Sequence, residues 1–285
     1  SGERISTPYF LVDEGLLRKN LKILKEVQEQ AGCRILLAQK AFSMFYAYPL
    51  IREYLAGSTA SGLYEARLGH EEFGGETHVF SPAYRPDEFE ELLGFADHFV
   101  FNSPDQVRRF GRRAKEAGKQ VGLRINPECS TQEGHAIYDP CAPGSRLGTT
   151  LDNFDEGVLP LLDGLHFHTL CEQGAEDLET TVKAVEAKFG MYLMEMKWLN
   201  LGGGHHITKE GYHVDLLIGL IRRLKETYHV EVYLEPGEAV VLNAGFLVSS
   251  VLDTMTNGMD IAILDTSAAC HMPDVLEMPY RPPGK

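Results

Sequence analysis

Apolar residues recur along this chain in short runs, most of them followed by a stretch whose apolar positions repeat with helical spacing. The first run, Thr7-Pro-Tyr-Phe-Leu-Val-Asp13, reads as a strand. From about Glu14 to Gln30, Leu16, Leu17, Leu21 and Leu24 fall on one helical face. Eight further runs follow in order. They are Arg34 to Lys40, Gly57 to Gly62, His78 to Ser81, His98 to Asn102, Val121 to Asn126, Gly164 to His168, Trp198 to Gly202 and Val232 to Glu235. Helical patterns lie between them, for example Pro104 to Ala117, Asp177 to Phe189 and Val214 to Thr227. Eight strand-then-helix units predict an α/β fold, a closed (β/α)8 barrel of the TIM type, whose ligands sit at the carboxyl ends of the strands. Lys40, Asn102, Arg124, His168 and Glu235 all lie at or near a strand's last residue. An open doubly wound sheet would also alternate strand and helix, but it gives no reason for polar residues at so many strand ends.

The rhythm breaks twice. Asn126 to Gly148 is a Pro- and Gly-containing loop, long enough to suggest a function. Beyond Glu238 the helices stop, and Ala244 to Thr256 and Asp260 to Ser267 read as strands joined by a Thr-Asn-Gly turn. The expected organisation is a barrel over residues 13–239 and a partial β-domain from residues 1–12 and 240–285.

Composition narrows the function classes. At 285 residues with a formal charge of −14, the chain is a poor partner for nucleic acid or an anionic membrane. No apolar run approaches bilayer length and no secretory leader is visible. The five cysteines, Cys33, Cys129, Cys141, Cys171 and Cys270, are odd in number, widely spaced and without a Cys-x-x-Cys pair. They argue against a disulfide framework and against a zinc site, and no metal is expected; a reducing cytoplasm is the expected location.

Three stretches carry candidate chemistry. Arg34-Ile-Leu-Leu-Ala-Gln-Lys40 ends an apolar run on a lysine, with alternation placing Leu36, Ala38 and Lys40 on one face. A desolvated lysine is nucleophilic enough to form a Schiff base with an aldehyde, although a strand-end lysine can equally reach into solvent. Leu199-Asn-Leu-Gly-Gly-Gly204 opens a strand into three glycines. Their exposed amides at a helix start would suit a phosphate, though Gly-rich turns are common without one. Glu235-Pro-Gly237 closes the last barrel strand with a carboxylate that could keep a pyridine nitrogen protonated, or could serve a structural ion pair. His166 and His168 share a strand face, and either could be a core histidine; Arg124 could orient a carboxylate or touch no substrate at all. A Schiff-base lysine, a phosphate loop, an acid for a ring nitrogen and a histidine to stack on the ring are together met by pyridoxal 5′-phosphate.

On six stretches the chain resembles the barrel-type (fold type III) pyridoxal-phosphate decarboxylases of basic amino acids, and among them the carboxynorspermidine/carboxyspermidine decarboxylases. The stretches are Thr7-Pro-Tyr-Phe, Ala38-Gln-Lys-Ala-Phe-Ser43, Phe73-Gly-Gly-Glu-Thr-His78, Ser145-Arg-Leu-Gly148, Glu235-Pro-Gly-Glu-Ala239 and His271-Met-Pro-Asp-Val-Leu-Glu-Met-Pro-Tyr280. The resemblance implies a cofactor held by Lys40, with His168 on its ring, Gly202, Gly203, Gly204 and Gly237 near its phosphate, Glu235 at its nitrogen and Arg124 close by. It assigns Glu238 and Asp274 to a small cationic carboxy-polyamine substrate. Ornithine-type members carry an arginine after Glu-Pro-Gly, where this chain has Glu238; that acid suits a polyamine better than ornithine or diaminopimelate. Alanine racemases share the fold but use an arginine where Glu235 stands, so Glu235 favours decarboxylation. A non-catalytic cofactor-binding barrel is the alternative of a different class. The resemblance further implies a homodimer with shared active sites. It also implies more β-domain strands beyond Lys285, with a catalytic cysteine supplied across the interface and a tyrosine near the phosphate. Cys270 does not match that cysteine, and the β-domain is expected to be incomplete within these residues.

Overall fold

The computed structural model describes residues 6–132 and 139–265. Cys270 and the whole His271–Tyr280 stretch singled out above, Asp274 included, therefore lie outside the described residues. The chain divides into two compact units, residues 18–242 and residues 1–17 with 243–285.

In chain order the strands are β1 (Tyr9–Val12), β2 (Arg34–Ala38), β3 (Gly57–Ala60), β4 (Glu76–Phe80), β5 (His98–Phe101), β6 (Gln120–Arg124), β7 (Gly164–His166), β8 (Trp198–Asn200) and β9 (Glu231–Leu234). Strands β2 to β9 are parallel neighbours in sequence order, and β9 returns to β2, closing the barrel expected from the eight apolar runs. The helix Glu14–Ala31 is capped by Asp13, whose Oδ1 accepts the Leu16 N–H at 3.0 Å. It buries Leu17, Leu21 and Leu24 and leaves Leu16 exposed. Long helices Ala175–Leu193 and Val214–Tyr228 follow β7 and β8. Between β6 and β7 the expected helix is replaced by the 126–148 loop and two short 3-10 turns, Leu151–Asn153 and Glu156–Leu161, the second containing Pro160.

Inside the barrel, Leu36, Val100, Trp198 and Tyr233 form one buried cluster. The indole of Trp198 fits because β7 beside it and β6 beyond carry glycine at the same level. A Cβ on Gly122 would lie 2.3 Å from the ring, and one on Gly164 would lie 2.0 Å from it. Large and small residues thus alternate around the barrel so that the interior fills without voids. Two residues further along each strand, the same inward face presents polar groups at the carboxyl end: Arg124 on β6, His166 on β7, Asn200 on β8 and Glu235 just past β9.

In the smaller unit, β1 pairs antiparallel with β10 (Gly245–Val248), Tyr9 opposite Val248. Strand β11 (Val251–Thr256) pairs with β12 (Asp260–Leu264) across an Asn257-Gly258 turn. The sequence suggests one strand from Ala244 to Thr256; the structure divides it at Ser249-Ser250. The two halves take different partners, and Ser250 is tied instead to Asp265, its N–H donating to Oδ1 at 2.7 Å. Val251, Leu252 and Met255 on β11 remain exposed.

Candidate active site

The carboxyl end of the barrel brings Lys40, Arg124, His168, the glycine triplet, Glu235, Gly237 and Glu238 to one set of loops. The join between the first and last barrel strands is tight. The Ala38 N–H donates to the Pro236 carbonyl at 3.1 Å. A Cβ on Gly237 would sit 2.4 Å from that of Ala41, so only glycine lets the turn after β9 lie against the turn after β2. Lys40 lies two residues beyond Ala38, and Glu235 immediately precedes Pro236, so this contact holds the amine-bearing and acid-bearing turns side by side.

Lys40 departs from expectation in one respect. The strand ends at Ala38 and the chain turns at once, with the Ala41 N–H donating to Ala38 O and the Phe42 N–H to Gln39 O. Gln39 is therefore the residue that becomes buried. Its amide donates to the carbonyls of Thr59 and Glu65 and accepts from the Tyr48 hydroxyl at 3.0 Å. Lys40 stays exposed rather than desolvated. Its charge reaches the imidazole of His168 and the thiol of Cys171.

Glu235 is partly buried and accepts from the Asn200 amide at 2.7 Å on Oε1, with His166 Nε2 at 3.3 Å from Oε2. Burial pushes its carboxyl up, but the His166 charge and contact, the His78 charge and the Asn200 bond outweigh that and hold it at about 2. It is ionised at neutral pH. His168 is pushed down to about 3 by burial first and then by the Arg124 and His166 charges. Its Nδ1 accepts the Gly203 N–H at 3.0 Å, which places the ring proton on Nε2. Arg124 is buried; its Nη2 donates to the His168 carbonyl at 3.1 Å and its guanidinium lies 4.7 Å from the Phe80 ring centroid. It therefore acts on the backbone that carries His168. Burial lowers its pKa to about 10, so it stays charged.

The glycine triplet corrects the simple phosphate-loop picture. The next helix begins only at Val214, so the triplet is not at a helix start. The Gly202 N–H donates to Asn200 Oδ1 at 2.9 Å and the Gly203 N–H is taken by His168. Cβ atoms here would meet the carbonyls of Phe167 at 2.3 Å (from Gly202), Glu235 at 2.6 Å (from Gly203) and Leu170 at 2.0 Å (from Gly204). These close approaches require glycine for protein reasons. Among the described residues the Gly204 N–H has no acceptor, leaving it as the loop amide open to an anion. Glu238 begins the short helix Glu238–Val241 beside this loop end, and its charge is felt at Cys171.

One functional partner, Asn200, escaped the sequence reading, and a second, Asn102, was noted there only as a polar strand end. Asn200 bridges Glu235 and Gly202; its signal was period-two spacing from Trp198 into the barrel. Asn102 pins the long loop, its amide donating to Arg146 O at 2.8 Å while Oδ1 accepts the Gly148 N–H at 2.7 Å.

Comparison with known proteins bears on this arrangement. No protein-family model matches the chain. It is 45% identical over 278 residues to the carboxynorspermidine/carboxyspermidine decarboxylase of Campylobacter jejuni, a match covering 98% of this chain and 72% of that protein. It is 42% identical over 280 residues to the carboxyaminopropylagmatine decarboxylase of a Synechocystis species, again covering 98% of this chain and 72% of the relative. A crystal structure of carboxynorspermidine decarboxylase from Campylobacter jejuni complexed with norspermidine superposes with a TM-score of 0.89 at 44% identity, covering 97% of this chain and 72% of that one. With a closed barrel whose first and last strands end in adjoining turns, one bearing a lysine and the other an ionised acid, and relatives this similar over nearly its whole length, the chain belongs to the carboxynorspermidine/carboxyspermidine decarboxylase family.

Proposed function

We propose that this protein decarboxylates carboxynorspermidine and/or carboxyspermidine, giving norspermidine or spermidine, with pyridoxal 5′-phosphate as its cofactor. The observation that carries the reading is the tight join between the turn that bears Lys40 and the turn that bears Glu235, with the charges of both groups reaching His168. The donor set fits the cofactor. An exposed amine is available for its aldehyde, an ionised carboxylate for its ring nitrogen, a neutral imidazole for its ring face, and the Gly204 amide with the turn at Gly237 for its phosphate. When bound, the cofactor supplies the electron sink that stabilises the α-carbon as carbon dioxide leaves.

The chain's own residues set the conditions for that step. Asn200 and His166 hold both oxygens of Glu235 and keep it ionised, so it favours a protonated ring nitrogen. Arg124 and Gly203 fix His168 from its carbonyl and from Nδ1, so its ring cannot turn freely. The Lys40 Nζ is the proton carrier at this mouth and would return a proton to the α-carbon after carbon dioxide departs. Glu238, together with Asp274, would receive the cationic nitrogens of the polyamine. The functional division we propose is a cofactor barrel over residues 13–239 with residues 1–12 and 240–285 in a β-domain, working as a cytoplasmic homodimer.

A carboxyaminopropylagmatine substrate is the second reading, favoured by the 42% identical relative. Carbon dioxide release from carboxynorspermidine, carboxyspermidine, carboxyaminopropylagmatine, ornithine and diaminopimelate separates the readings. Turnover of carboxynorspermidine or carboxyspermidine is expected to exceed all others, and preference for ornithine or diaminopimelate would refute the assignment. Lys40→Ala should abolish the visible absorbance of the cofactor-loaded protein; retention of that band contradicts the role of the lysine. Glu238→Gln should raise KM with the cofactor still bound, and cofactor loss instead would contradict a substrate role.

A further inference from the structure

At the opposite, amino end of the barrel lies a second polar cluster, of which the decarboxylase reading uses only the His78 charge felt at Glu235. Glu76 opens β4, His78 follows two residues later on the same inward face, and His98 opens β5. The parallel register pairs His78 directly with His98. Both imidazoles are buried, at 1% and 6% exposure, with their rings stacked 3.9 Å apart between Tyr233 and Trp198. Neither nitrogen of His78 has a hydrogen-bond partner, nor does Nδ1 of His98. Buried polar atoms are nearly always satisfied, by protein, water or an ion.

The Nε2 atoms of both imidazoles, unsatisfied in the case of His78, face one carboxylate oxygen. Glu76 Oε1 lies 3.8 Å from His78 Nε2 and 3.7 Å from His98 Nε2. Those separations are too long for direct hydrogen bonds. They are close to the spacing of donors around a tetrahedral zinc ion, about 3.3–3.5 Å for bonds of about 2.0–2.2 Å. One ligand atom from each residue can be chosen so that all three lie within 4.8 Å of one another. The contraction needed between Glu76 and each imidazole, from 3.7–3.8 Å to about 3.5 Å, is a few tenths of an ångström. Glu76 is already oriented: Tyr233 Oη donates to Oε1 at 2.9 Å and Arg34 Nη1 to Oε2 at 3.1 Å. Arg34 neutralises the outer oxygen, so the site selects for imidazole affinity rather than for bare charge. Two histidines and a carboxylate suit zinc or a similar first-row divalent ion over magnesium or calcium.

We propose that Glu76, His78 and His98 bind one divalent transition-metal ion of the zinc class, clamping β4 to β5 at the amino end of the barrel. Because decarboxylation is assigned to the other end, the ion is structural. Arg34, which holds Glu76, opens the strand that Lys40 follows at its carboxyl end, and Lys40→Ala serves as the control for the active site.

The test uses the full-length, cofactor-loaded protein with Zn(II) as the probe. After equilibration with zinc and removal of excess, metal analysis should find one equivalent per chain in the wild type and in Lys40→Ala. His98→Gln and Glu76→Gln should lower zinc affinity at least tenfold. Zinc should raise the thermal midpoint of the wild type and leave that of His98→Gln unmoved. If His98→Gln does not fold, Co(II) added to the wild type should give the intense visible bands of a tetrahedral N/O site. Substoichiometric zinc, an equal thermal shift in wild type and a folded His98→Gln, or octahedral-type weak cobalt bands would each overturn the proposal; these results would leave the decarboxylase reading intact.

Discussion

The amide of Asn200 is a neutral hydrogen-bond donor to Glu235, and changing it to an acid inverts the local electrostatics without changing its shape. Asn200 is fully buried, donates to Glu235 Oε1 at 2.7 Å and accepts the Gly202 N–H on Oδ1. Asn200→Asp keeps the acceptor toward Gly202 and faces Glu235 with a second carboxylate. Two unit charges about 4 Å apart at an effective dielectric of about 20 repel by about 4 kcal/mol, or about three pKa units. Glu235 would move from about 2 to roughly 5. In the wild type the depressed carboxyl stabilises the fold above its unfolded pKa, and that contribution is lost as pH falls toward 2. In the variant the raised pair does the reverse: its penalty is complete at neutral pH and is relieved as pH falls through about 5. Urea unfolding of wild type and Asn200→Asp at a series of pH values measures this directly. The expected difference is about 4 kcal/mol near neutrality, shrinking as the solution is acidified. A penalty below about 1 kcal/mol, or one that does not change with pH, would show that Asn200 does not face the Glu235 carboxylate.

Two further outcomes test the scaffold. Gly164→Ala drives a Cβ into Trp198, which sits in a full layer and cannot withdraw; the expected cost is about 3 kcal/mol, and Trp198→Leu in the same chain should recover part of it, whereas strict additivity in the double-mutant cycle would contradict the packing. His168 and His205 are held down, to about 3 and about 4, chiefly by burial, so the folded chain refuses protons that the unfolded chain takes up near 6.5. Their contribution is complete above about 6.5 and is lost as pH falls toward those values, about 2 kcal/mol per histidine at pH ~5; a flat stability profile from about pH 7.5 to 5 would contradict it.

The barrel was legible because its physics is local and repeated: strands covered on both sides must be apolar, and their carboxyl ends must carry the polar groups that face a ligand. What alternation alone cannot convey is where a run stops being a strand. The run through Lys40 reads as continuous, yet the turn at Gln39 is set by bonds to Thr59, Glu65 and Tyr48, which lie on other elements. Ser249-Ser250 is ambiguous for the same reason, because the strand changes partner rather than character. The glycine triplet announces a close approach, but only the packed structure identifies His168, Leu170 and Glu235 as what approaches. His78 and His98 are twenty residues apart, and only the β4–β5 register makes them neighbours.

At the carboxyl end these residues depend on one another, and that dependence explains why the strand order matters to the chemistry. Strand β8 supplies Asn200, which holds Glu235, and just past it the amides of Gly202 and Gly203 return to Asn200 and to His168. Strand β6 supplies Arg124, which holds the His168 carbonyl. The acid that must stay ionised and the imidazole that must stay neutral are thus fixed by a single set of bonds running from β6 through β7 and β8 to β9. The bonds in such a buried network support one another, so losing one donor disturbs both groups together. The opposite electrostatic states of Glu235 and His168 follow from that shared framework: the same burial that keeps a proton off His168 would put one on Glu235, were it not for His166 and Asn200.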